Sequence, residues 1–340
     1  MRAAVFKAVG LPLSIEERPD PTPGPGELVL KVGRCGICGT DLSMTDGSGQ
    51  VFEAGSVIGH EFAGEVVAVG PGIERFAVGD RATAMPYVGC GQCPSCIAGR
   101  ANFCAAFRGM AGGFAEYVTS AERAAIRLPS SLSLADGALV EPLAVGLHGA
   151  ALARLEPGQR VLVIGAGPIG LAATFWARKL GAGPIAVTAS SRQRESLALE
   201  LGASSFVLPD RPEALPQAAI AALGAMPDVV IEAVGKKDLI AQAINCVRPA
   251  GTVVVLGFCS QPDAFVPAIA VWKEVRLQFS MTYSSAEFEH VARVLDRGEV
   301  APRAMITDTV ALDALPATFE ALRHRTHQCK VLVDPWAQRP

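Results

Sequence analysis

The sequence predicts an α/β fold in which a β-rich region is joined to a doubly wound parallel sheet. From Val161 onward, short apolar runs alternate with alanine-rich stretches of helical length, the pattern of a sheet that helices cover on both faces. Before residue 130, short apolar runs are separated by Gly and Pro clusters such as residues 21–26, which is typical of a β-rich domain.

Length and composition limit the possible functions. A chain of 340 residues is long for one domain, so two are expected, and the hydrophobic content of 50% is enough for a full core. No apolar run approaches the length of a membrane span. Residues 1–7 lead directly into a strand-like pattern without a secretion signal, so we expect an intracellular, cytoplasmic protein. The net charge of −3 is scattered, which argues against nucleic acid and membranes as partners.

The apolar runs define the predicted elements in order. Strands are predicted at residues 28–32, 63–69, 114–119, 161–164, 185–188, 229–232, 253–256 and 330–334, and helices at 171–180 and 193–201. The chain becomes helical again from about residue 284 and closes on the last of these strands. Because this tail lacks a core of its own, we expect it to pack on the first domain.

Four of the nine cysteines fall within residues 90–104. They are Cys90, Cys93, Cys96 and Cys104, at spacings x2, x2 and x7. Glycine and proline between them let the backbone fold around an ion, so the spacing predicts a closed zinc site of four thiolates. Two disulfides are the alternative, but they require an oxidising compartment that the N-terminus does not indicate. A closed site has no open position for substrate, so we assign it a structural role.

A second set of ligand types is spread along the chain. It comprises Cys35, Cys38, Thr40, Asp41, His60, Glu61 and, far downstream, Glu141. A thiolate, an imidazole and a carboxylate together make a mixed site of the catalytic type. Each has a plainer interpretation alone: a redox Cys-x2-Cys, a surface His-Glu pair, and a helix start at Glu141-Pro142. We interpret His148, on the same predicted helical face as Glu141, as a buried structural histidine.

A glycine-rich turn directly follows the predicted strand at residues 161–164. It consists of Gly165, Ala166, Gly167, Pro168, Ile169 and Gly170 and opens a predicted helix. In this context the first glycine makes the tight turn, the second admits a pyrophosphate, and the third seats the helix on the sheet. The helix N-terminus then faces the phosphates. We therefore predict dinucleotide binding.

The motifs together resemble a known family over essentially the whole chain. They are Cys38-Gly-Thr-Asp, Gly59-His-Glu-Phe-Ala-Gly-Glu, the loop 90–104, Glu141-Pro-Leu-Ala-Val and the turn 165–170. Their order and distances resemble the zinc-dependent medium-chain dehydrogenase/reductases, the alcohol and polyol dehydrogenase superfamily. The resemblance implies a GroES-like catalytic domain over residues 1–145, completed by 284–340, and a Rossmann domain over 146–283. It further implies two zinc ions per chain, one catalytic and one structural, and a homodimer or homotetramer.

The resemblance also implies roles for the mixed site. In the family, the positions of Cys38 and His60 bind the catalytic zinc, a Lewis acid for the substrate oxygen, and Thr40 hydrogen-bonds that oxygen. Glu61 and Glu141 resemble the polyol branch, in which one carboxylate binds zinc directly or through water. Asp41 is expected to orient a ligand or its loop. Many members carry a histidine three residues after the threonine, whereas this chain has Ser43. Either Ser43 and water carry the proton onward, or its release follows another route.

The end of the second strand of the Rossmann domain bears on the choice of cofactor. Members that prefer NAD place an acid there for the ribose 2′-OH, and the matching residue here is Ala189. The residues that follow are Ser190, Ser191, Arg192 and Arg194. Arginine binds a 2′-phosphate with paired charged hydrogen bonds, so NADP(H) is favoured over NAD(H). The alternative is that both arginines are only solvated.

The resemblance implies further cofactor contacts, at positions that match those of the family. They are Val234, Gly235, Leu256, Gly257, Met281 and Thr282. Lys330 either faces the pyrophosphate or is an exposed lysine near the C-terminus.

The expected activity is hydride transfer between NADP(H) and an alcohol/ketone or aldehyde pair. The alternative is an NAD-dependent polyol (sorbitol-like) or threonine-type dehydrogenase. Thr282 matches a position where the polyol branch often has a sugar-binding arginine, which favours a less polar secondary alcohol or ketone. Met44, Phe52 and Phe107 are candidate apolar walls. A binding protein without turnover, or a zinc-free quinone or enone reductase, fits less well because both ligand sets are retained.

Overall fold

The chain divides into two units. The computed structural model describes residues 1–47, 49–324 and 327–337. One unit combines Met1–Glu141 with Tyr283–Pro340, and the other is Pro142–Thr282. None of the helices in the described part of the chain combines the length and apolar character needed to cross a bilayer.

Strands and helices are numbered here in chain order. The strands are β1 (Arg2–Val5), β2 (Ser14–Glu17), β3 (Glu27–Gly36), β4 (Glu61–Val69), β5 (Arg81–Ala84), β6 (Tyr87–Val88), β7 (Arg108–Gly109), β8 (Tyr117–Ala121), β9 (Ala125–Arg127), β10 (Val161–Ile164), β11 (Ile185–Thr188), β12 (Ser205–Val207), β13 (Val229–Glu232), β14 (Thr252–Val255), β15 (Arg276–Phe279), β16 (Ile306–Ala311) and β17 (Lys330–Asp334). The α-helices are α1 (Gly39–Ser43), α2 (Pro94–Ile97), α3 (Leu134–Leu152), α4 (Pro168–Lys179), α5 (Glu195–Glu200), α6 (Leu215–Leu223), α7 (Leu239–Cys246), α8 (Pro267–Trp272), α9 (Ser285–Asp296) and α10 (Leu315–Ala321).

The first unit is built on a seven-stranded sheet. Its strand order is β16-β17-β3-β4-β5-β9, and β8 also pairs with β3. The long strand β3 pairs antiparallel with β4, β8 and β17, so it is the centre of the sheet. Leu28, Leu30 and Val32 alternate along β3 and are fully buried in the core of this unit. The C-terminal tail joins this sheet through β17, which pairs with the end of β3.

The second unit contains a parallel sheet of six strands. The order is β12-β11-β10-β13-β14-β15, and every pairing is parallel. The four central strands are buried along their whole length, which requires the continuous apolar runs seen in the sequence. This arrangement confirms the predicted doubly wound sheet, and β10, β11 and β13 have the predicted bounds.

The structure contradicts one predicted helix boundary and shifts others. Glu141-Pro142 is not a helix start, because α3 begins at Leu134 and contains Pro142 in its interior. The signal that starts α3 is Ser133 with Asp136: the Ser133 hydroxyl accepts from Asp136 N (3.2 Å), and the Asp136 carboxylate accepts from Ser133 N (2.8 Å).

Smaller shifts occur elsewhere in the chain. Strand β8 begins at Tyr117 instead of residue 114, because Phe114 and Ala115 pair with β1. Helix α5 begins two residues later than predicted, at Glu195. The other predicted strands agree with the structure within a few residues, which is the usual uncertainty of element ends.

Candidate active site

Cys38 and His60 are joined through one buried carboxylate. Cys38 is the residue before α1, and its amide donates to Asp41 Oδ2 (3.0 Å). The other oxygen, Asp41 Oδ1, lies 3.1 Å from His60 Nδ1. Burial lowers the pKa of His60, but the charges of Asp41 and Cys38 outweigh it and raise this pKa well above its usual value. Asp41 therefore contacts both residues that the sequence predicted as zinc ligands.

Three ligand types converge at this place. One donor atom each from Cys38, His60 and Glu61 lies within 4.8 Å of the others. Sulfur, imidazole nitrogen and carboxylate oxygen form the donor set of a zinc site that keeps an open position, so these residues fit a catalytic zinc. Among the described residues, Glu141 is not a member of this group.

Glu61 forms a buried ion pair with Lys330. Lys330 Nζ donates to both oxygens of Glu61 (2.7 and 2.6 Å) and to the carbonyl of Ile37 (3.0 Å). Burial lowers the pKa of Lys330, but the charge of Glu61 outweighs it and raises this pKa above its usual value. A side chain at Gly36 would lie 2.1 Å from Glu61 Oε2, so this glycine makes room for the pair. The alternative of an exposed lysine is therefore wrong, and the Lys330 ammonium binds Glu61 in place of the predicted pyrophosphate.

Glu141 lies on α3 and contacts a different partner. Tyr283 donates its hydroxyl to Glu141 Oε1 (3.1 Å), and both side chains are buried. The pKa of Glu141 is raised to about 7, mainly by burial and also by the charge of Glu61, although His60, Lys330 and the hydrogen bond from Tyr283 lower it. Glu141 and Tyr283 both belong to the first unit.

The predicted proton-relay residues both lie on α1. Ser43 Oγ donates to the carbonyl of Thr40 (3.1 Å), one turn earlier in the same short helix. Arg323 Nη1 donates to the carbonyl of Leu42 (2.8 Å), and Arg323 Nη2 to Thr45 Oγ1 (2.9 Å). The C-terminal end of α1 is therefore held by side chains, which sequence reasoning did not find.

Candidate apolar walls have different environments. Phe52 is half-buried against the core of the first unit, and its amide donates to the carbonyl of Met44 (3.1 Å). Phe107 is about half exposed and stacks on Tyr87, with 5.8 Å between ring centroids. His148 is buried, as predicted.

The four clustered cysteines form a second candidate metal centre. The sulfur atoms of Cys90, Cys93, Cys96 and Cys104 all lie within 4.8 Å of one another. All nine cysteines are free, and Cys90 Sγ lies 4.0 Å from Cys96 Sγ, about twice a disulfide bond length, so the alternative of two disulfides is wrong. Backbone amides of Gln92 and Cys93 donate to Cys90 and lower its pKa to about 6, which favours the thiolate at this sulfur, whereas burial and the three neighbouring sulfurs raise the pKa of Cys96 to about 11. Four sulfur donors fit a closed zinc site.

The glycine-rich turn has the local geometry that a pyrophosphate requires. Gly165 has a φ of 114°, and a Cβ on Gly170 would lie 1.9 Å from the Gly165 carbonyl oxygen. Gly167 caps α4, and a Cβ there would meet no atom within 4 Å in the described part of the chain. Glycine is required at Gly165 and Gly170 by the turn itself, and at Gly167 it leaves the N-terminus of α4 open to an anion.

One of the two arginines that follow β11 contacts the glycine-rich turn. Arg194 Nη1 donates to the carbonyl of Ala166 (3.2 Å), so Arg194 is not merely a solvated helix residue. Arg192 is exposed and pairs with Glu195 (2.7 Å). Ala189 directly follows β11, and Ser190 and Ser191 lie between it and the arginines. No carboxylate occupies residues 189–194.

One buried acid beside the turn was missed from the sequence. Glu232 ends β13, and its Oε1 accepts from the amides of Val234 (2.7 Å) and Gly235 (2.9 Å). Burial raises the pKa of Glu232, opposed by these amides. A Cβ on Gly257 would lie 2.1 Å from Gly235 N, so the loops after β13 and β14 touch. A strand-ending acid followed by Ala-Val-Gly was the available signal.

Two hydroxyls after β15 are buried without a hydrogen-bond partner among the described residues. They belong to Ser280 and Thr282. Thr282 also has a φ of 52°, which is strained for a β-branched residue. Met281 between them is about half exposed. Orphaned buried hydroxyls fit a segment that hydrogen-bonds a ligand.

Comparison with known proteins gives consistent matches in both units. The model of the alcohol dehydrogenase GroES-like domain matches residues 24–130, and the zinc-binding dehydrogenase model matches residues 168–297. Sorbitol dehydrogenase of Bacillus subtilis is 33% identical over 98% of this chain and 97% of its own length.

Solved structures match over nearly the same span. A Sinorhizobium meliloti protein described as a zinc-binding dehydrogenase, with NADP bound, has a TM-score of 0.88 at 33% identity and covers 98% of this chain and 99% of its own. The 2R,3R-butanediol dehydrogenase of Bacillus subtilis has a TM-score of 0.88 at 32% identity, with the same coverage.

Proposed function

Because the chain belongs to the zinc-dependent medium-chain dehydrogenases, in their polyol dehydrogenase-like branch, we propose that it transfers a hydride between NADP(H) and an alcohol/ketone or aldehyde pair. The observation that supports this proposal most directly is the convergence of Cys38, His60 and Glu61, because their donor atoms fit a zinc ion with an open position. The proposed catalytic domain comprises residues 1–145 and 284–340, and the cofactor domain residues 146–283.

The proposed catalytic zinc is held by Cys38, His60 and a carboxylate. When bound, zinc supplies a Lewis acid that polarises the substrate oxygen and stabilises the negative charge on it. Glu61 and Glu141 both remain candidates for the third ligand, directly or through water. A carboxylate oxygen of Glu61 lies within 4.8 Å of the donor atoms of Cys38 and His60, but both of its oxygens accept hydrogen bonds from Lys330. Glu141 accepts a hydrogen bond from Tyr283 with one oxygen. Asp41 orients His60 and holds the amide of Cys38.

The proposed route of the substrate proton begins at Thr40. The Thr40 hydroxyl accepts the proton of the alcohol in oxidation while it releases its own hydrogen to water, and the exchange runs in reverse in reduction. Ser43 donates its own hydrogen to the Thr40 carbonyl, so its oxygen can accept a hydrogen bond from a water, and we propose that this water carries the proton onward.

The proposed cofactor is NADP(H), bound at Gly165–Gly170 with its nicotinamide end near the segment Met281–Thr282. The nicotinamide ring supplies the hydride acceptor or donor. Arg194 beside the Ala166 carbonyl, and the lack of an acid at residues 189–194, support a site for a 2′-phosphate. Ser190, Ser191 and Arg192 complete this site, and Val234 and Leu256 contact the cofactor from the neighbouring loops.

Four further features belong to the same proposal. Cys90, Cys93, Cys96 and Cys104 hold a structural zinc, which makes two zinc ions per chain. Nine free cysteines fit the reducing cytoplasm.

A homodimer or homotetramer is proposed, supported by the edge strand β15 and the neighbouring Trp272, which is 88% exposed. A less polar secondary alcohol or ketone is the proposed substrate, supported by the likeness to the butanediol enzyme.

The second candidate is an NAD-dependent polyol (sorbitol-like) or threonine-type dehydrogenase. The specific observation in its favour is the 33% identity to a sorbitol dehydrogenase. Titration of the protein with NADPH and NADH, followed by nicotinamide fluorescence, separates the two candidates.

We expect tighter binding of NADPH, and we expect Arg194→Ala and Arg192→Ala to reduce that preference by roughly tenfold or more. Arg293→Ala, on the exposed face of α9, is the matched control. Equal or tighter binding of NADH would reject the 2′-phosphate site and favour the polyol candidate.

A further inference from the structure

Three hydrogen bonds fix the short segment Tyr283–Ser285 in the first unit. Tyr87 donates its hydroxyl to the carbonyl of Tyr283 (2.6 Å), and the amide of Ser285 donates to the carbonyl of Gly99 (2.9 Å). The third bond runs from the Tyr283 hydroxyl to Glu141 Oε1 (3.1 Å). Two of these hydrogen bonds therefore join the segment to the four-cysteine loop (residues 89–107) or to Tyr87 at its base. The third bond joins it to Glu141, a candidate zinc-site carboxylate.

Tyr87 lies at the base of the four-cysteine loop. Strand β6 pairs antiparallel with β7, with Tyr87 opposite Gly109 and Val88 opposite Arg108. The chain between these strands carries all four clustered cysteines. Because both ends of the loop enter this pair of strands, closure of the loop around an ion also fixes the position of Tyr87.

The ring of Tyr283 is held on two sides. It stacks on Phe288 with 5.4 Å between centroids, and the ring of Tyr87 lies 5.9 Å away at a tilt. Tyr283 has no exposed surface, so its ring cannot turn without displacing neighbours. The direction of its hydroxyl, and with it the position of Glu141 Oε1, therefore depends on the segment that Tyr87 and Gly99 hold.

Packing alone does not require tyrosine at these two positions. Phenylalanine would fill both places, whereas a buried phenol loses free energy unless its hydroxyl is hydrogen-bonded. Both hydroxyls have a partner on this path, one a backbone carbonyl and the other a carboxylate.

We propose that the metal-filled four-cysteine loop positions Glu141 through Tyr87 and Tyr283, so that the structural centre controls the catalytic zinc site. Tyr87 and Tyr283 are positioning residues. The proposal rests on the proposed function, in which Glu141 belongs to the catalytic zinc site.

Zinc release to a chromogenic chelator tests the proposal without reliance on turnover. The protein with both zinc ions bound should release them in two phases, and Cys38→Ala, which retains only the loop site, assigns the loop phase. Tyr283→Phe should speed release from the catalytic site about tenfold, the usual effect of removing an outer partner of a ligand. Tyr87→Phe should speed the same phase about threefold, because the Tyr87 hydroxyl holds the carbonyl of Tyr283. The double variant should match Tyr283→Phe alone, because both substitutions interrupt one path.

Tyr117→Phe is the matched control, since Tyr117 is the third tyrosine of the chain and packs against Trp336 in the same unit. Its release phases should equal those of the unchanged protein. Amide hydrogen exchange of residues 281–288 is the second readout, and it should rise in Tyr87→Phe but not in Tyr117→Phe.

The outcomes separate the two proposals. If Tyr87→Phe leaves both catalytic-site release and the exchange of residues 281–288 unchanged, the coupling is wrong even where Tyr283→Phe has an effect. If the unchanged protein binds zinc only in the four-cysteine loop, the proposed function fails. In that case, amide hydrogen exchange at residues 281–288 still tests whether the loop fixes this segment. If the exchange does not rise in Tyr87→Phe, the coupling is wrong as well.

Discussion

Lys330 and Glu61 form an ion pair that is almost completely shielded from water, with exposed fractions of 1% and 0% and a shortest N–O distance of 2.6 Å. Removing one partner of such a pair leaves an uncompensated buried charge. Lys330→Met should therefore lower the free energy of unfolding of the first unit by about 3–5 kcal/mol, measured by urea denaturation.

A surface pair provides the control for this substitution. Lys7 pairs with Glu16 at an exposed site, so Lys7→Met should change the free energy of unfolding by about 1 kcal/mol or less. Adding Glu61→Gln to Lys330→Met removes the buried charge and should restore part of the loss. An equally small effect of both lysine substitutions would contradict the buried ion pair.

Two glycines of the cofactor turn should respond differently to alanine. At Gly170 a Cβ would lie 1.9 Å from a backbone oxygen, so Gly170→Ala should lower the melting temperature of the second unit. At Gly167 a Cβ meets no described atom within 4 Å, so Gly167→Ala should leave the melting temperature unchanged. Gly167→Ala should still weaken NADPH binding about tenfold or more, because the methyl group faces the expected pyrophosphate.

Thermal unfolding and fluorescence titration of the two variants, side by side, check this contrast. Tight NADPH binding by Gly167→Ala would place the pyrophosphate elsewhere.

Removal of single ligands should distinguish the two metal centres. Cys38→Ala should lower the zinc content from about two to about one per chain and abolish activity. Cys104→Ala should also remove about one zinc and, because structural zinc contributes to folding, lower the melting temperature. Elemental analysis of freshly purified protein measures both. Cys246→Ala, in the second unit and a member of neither group, should retain the full zinc content.

Asp136 at the start of α3 should make the free energy of unfolding depend on pH in the acidic range. Burial would raise the pKa of Asp136, but hydrogen bonds from Arg303 and Ser133 outweigh it and lower this pKa below its usual value. The carboxylate therefore stabilises the fold above the unfolded-state pKa of about 3.9, and this contribution is lost as pH falls through the folded-state pKa. Asp136→Asn should be about 2 kcal/mol less stable than the unchanged protein at pH 7.

Urea unfolding at pH 7 and at lower pH values tests this dependence. The difference between Asp136→Asn and the unchanged protein should narrow as the pH approaches and passes below the unfolded-state pKa. A difference that stays constant with pH would show that the charge of Asp136 is unimportant.

The sequence predicted the parts of the site that short-range patterns encode. Cys38, His60 and the four clustered cysteines lie in motifs whose residue types bind zinc, and the glycine turn sits between a strand and a helix. The parallel sheet followed from continuous apolar runs, which only a sheet buried on both faces requires.

Long-range pairings could not be predicted in the same way. Glu61 and Lys330 are 269 positions apart, and Glu141 and Tyr283 are 142 apart, so no periodicity connects them. Lys330 at the start of a strand near the C-terminus resembles an edge residue, and its burial depends on the approach of β3 and β4. Glu141 before Pro142 has the local pattern of a helix start, but the Ser133–Asp136 cap upstream starts α3.

The pairing of β17 with β3 has a consequence for synthesis of the chain. The strand that carries Lys330 is made after every other strand of this sheet, whereas β3 and β4, which carries Glu61, precede the whole second unit. The second unit is contiguous and is complete before β17 exists, so it can fold during translation. The sheet of the first unit closes, and Glu61 acquires its counter-charge, only after β17 has been translated. A nascent chain halted before residue 330 would therefore contain a folded second unit beside a first unit that chaperones recognise as incomplete.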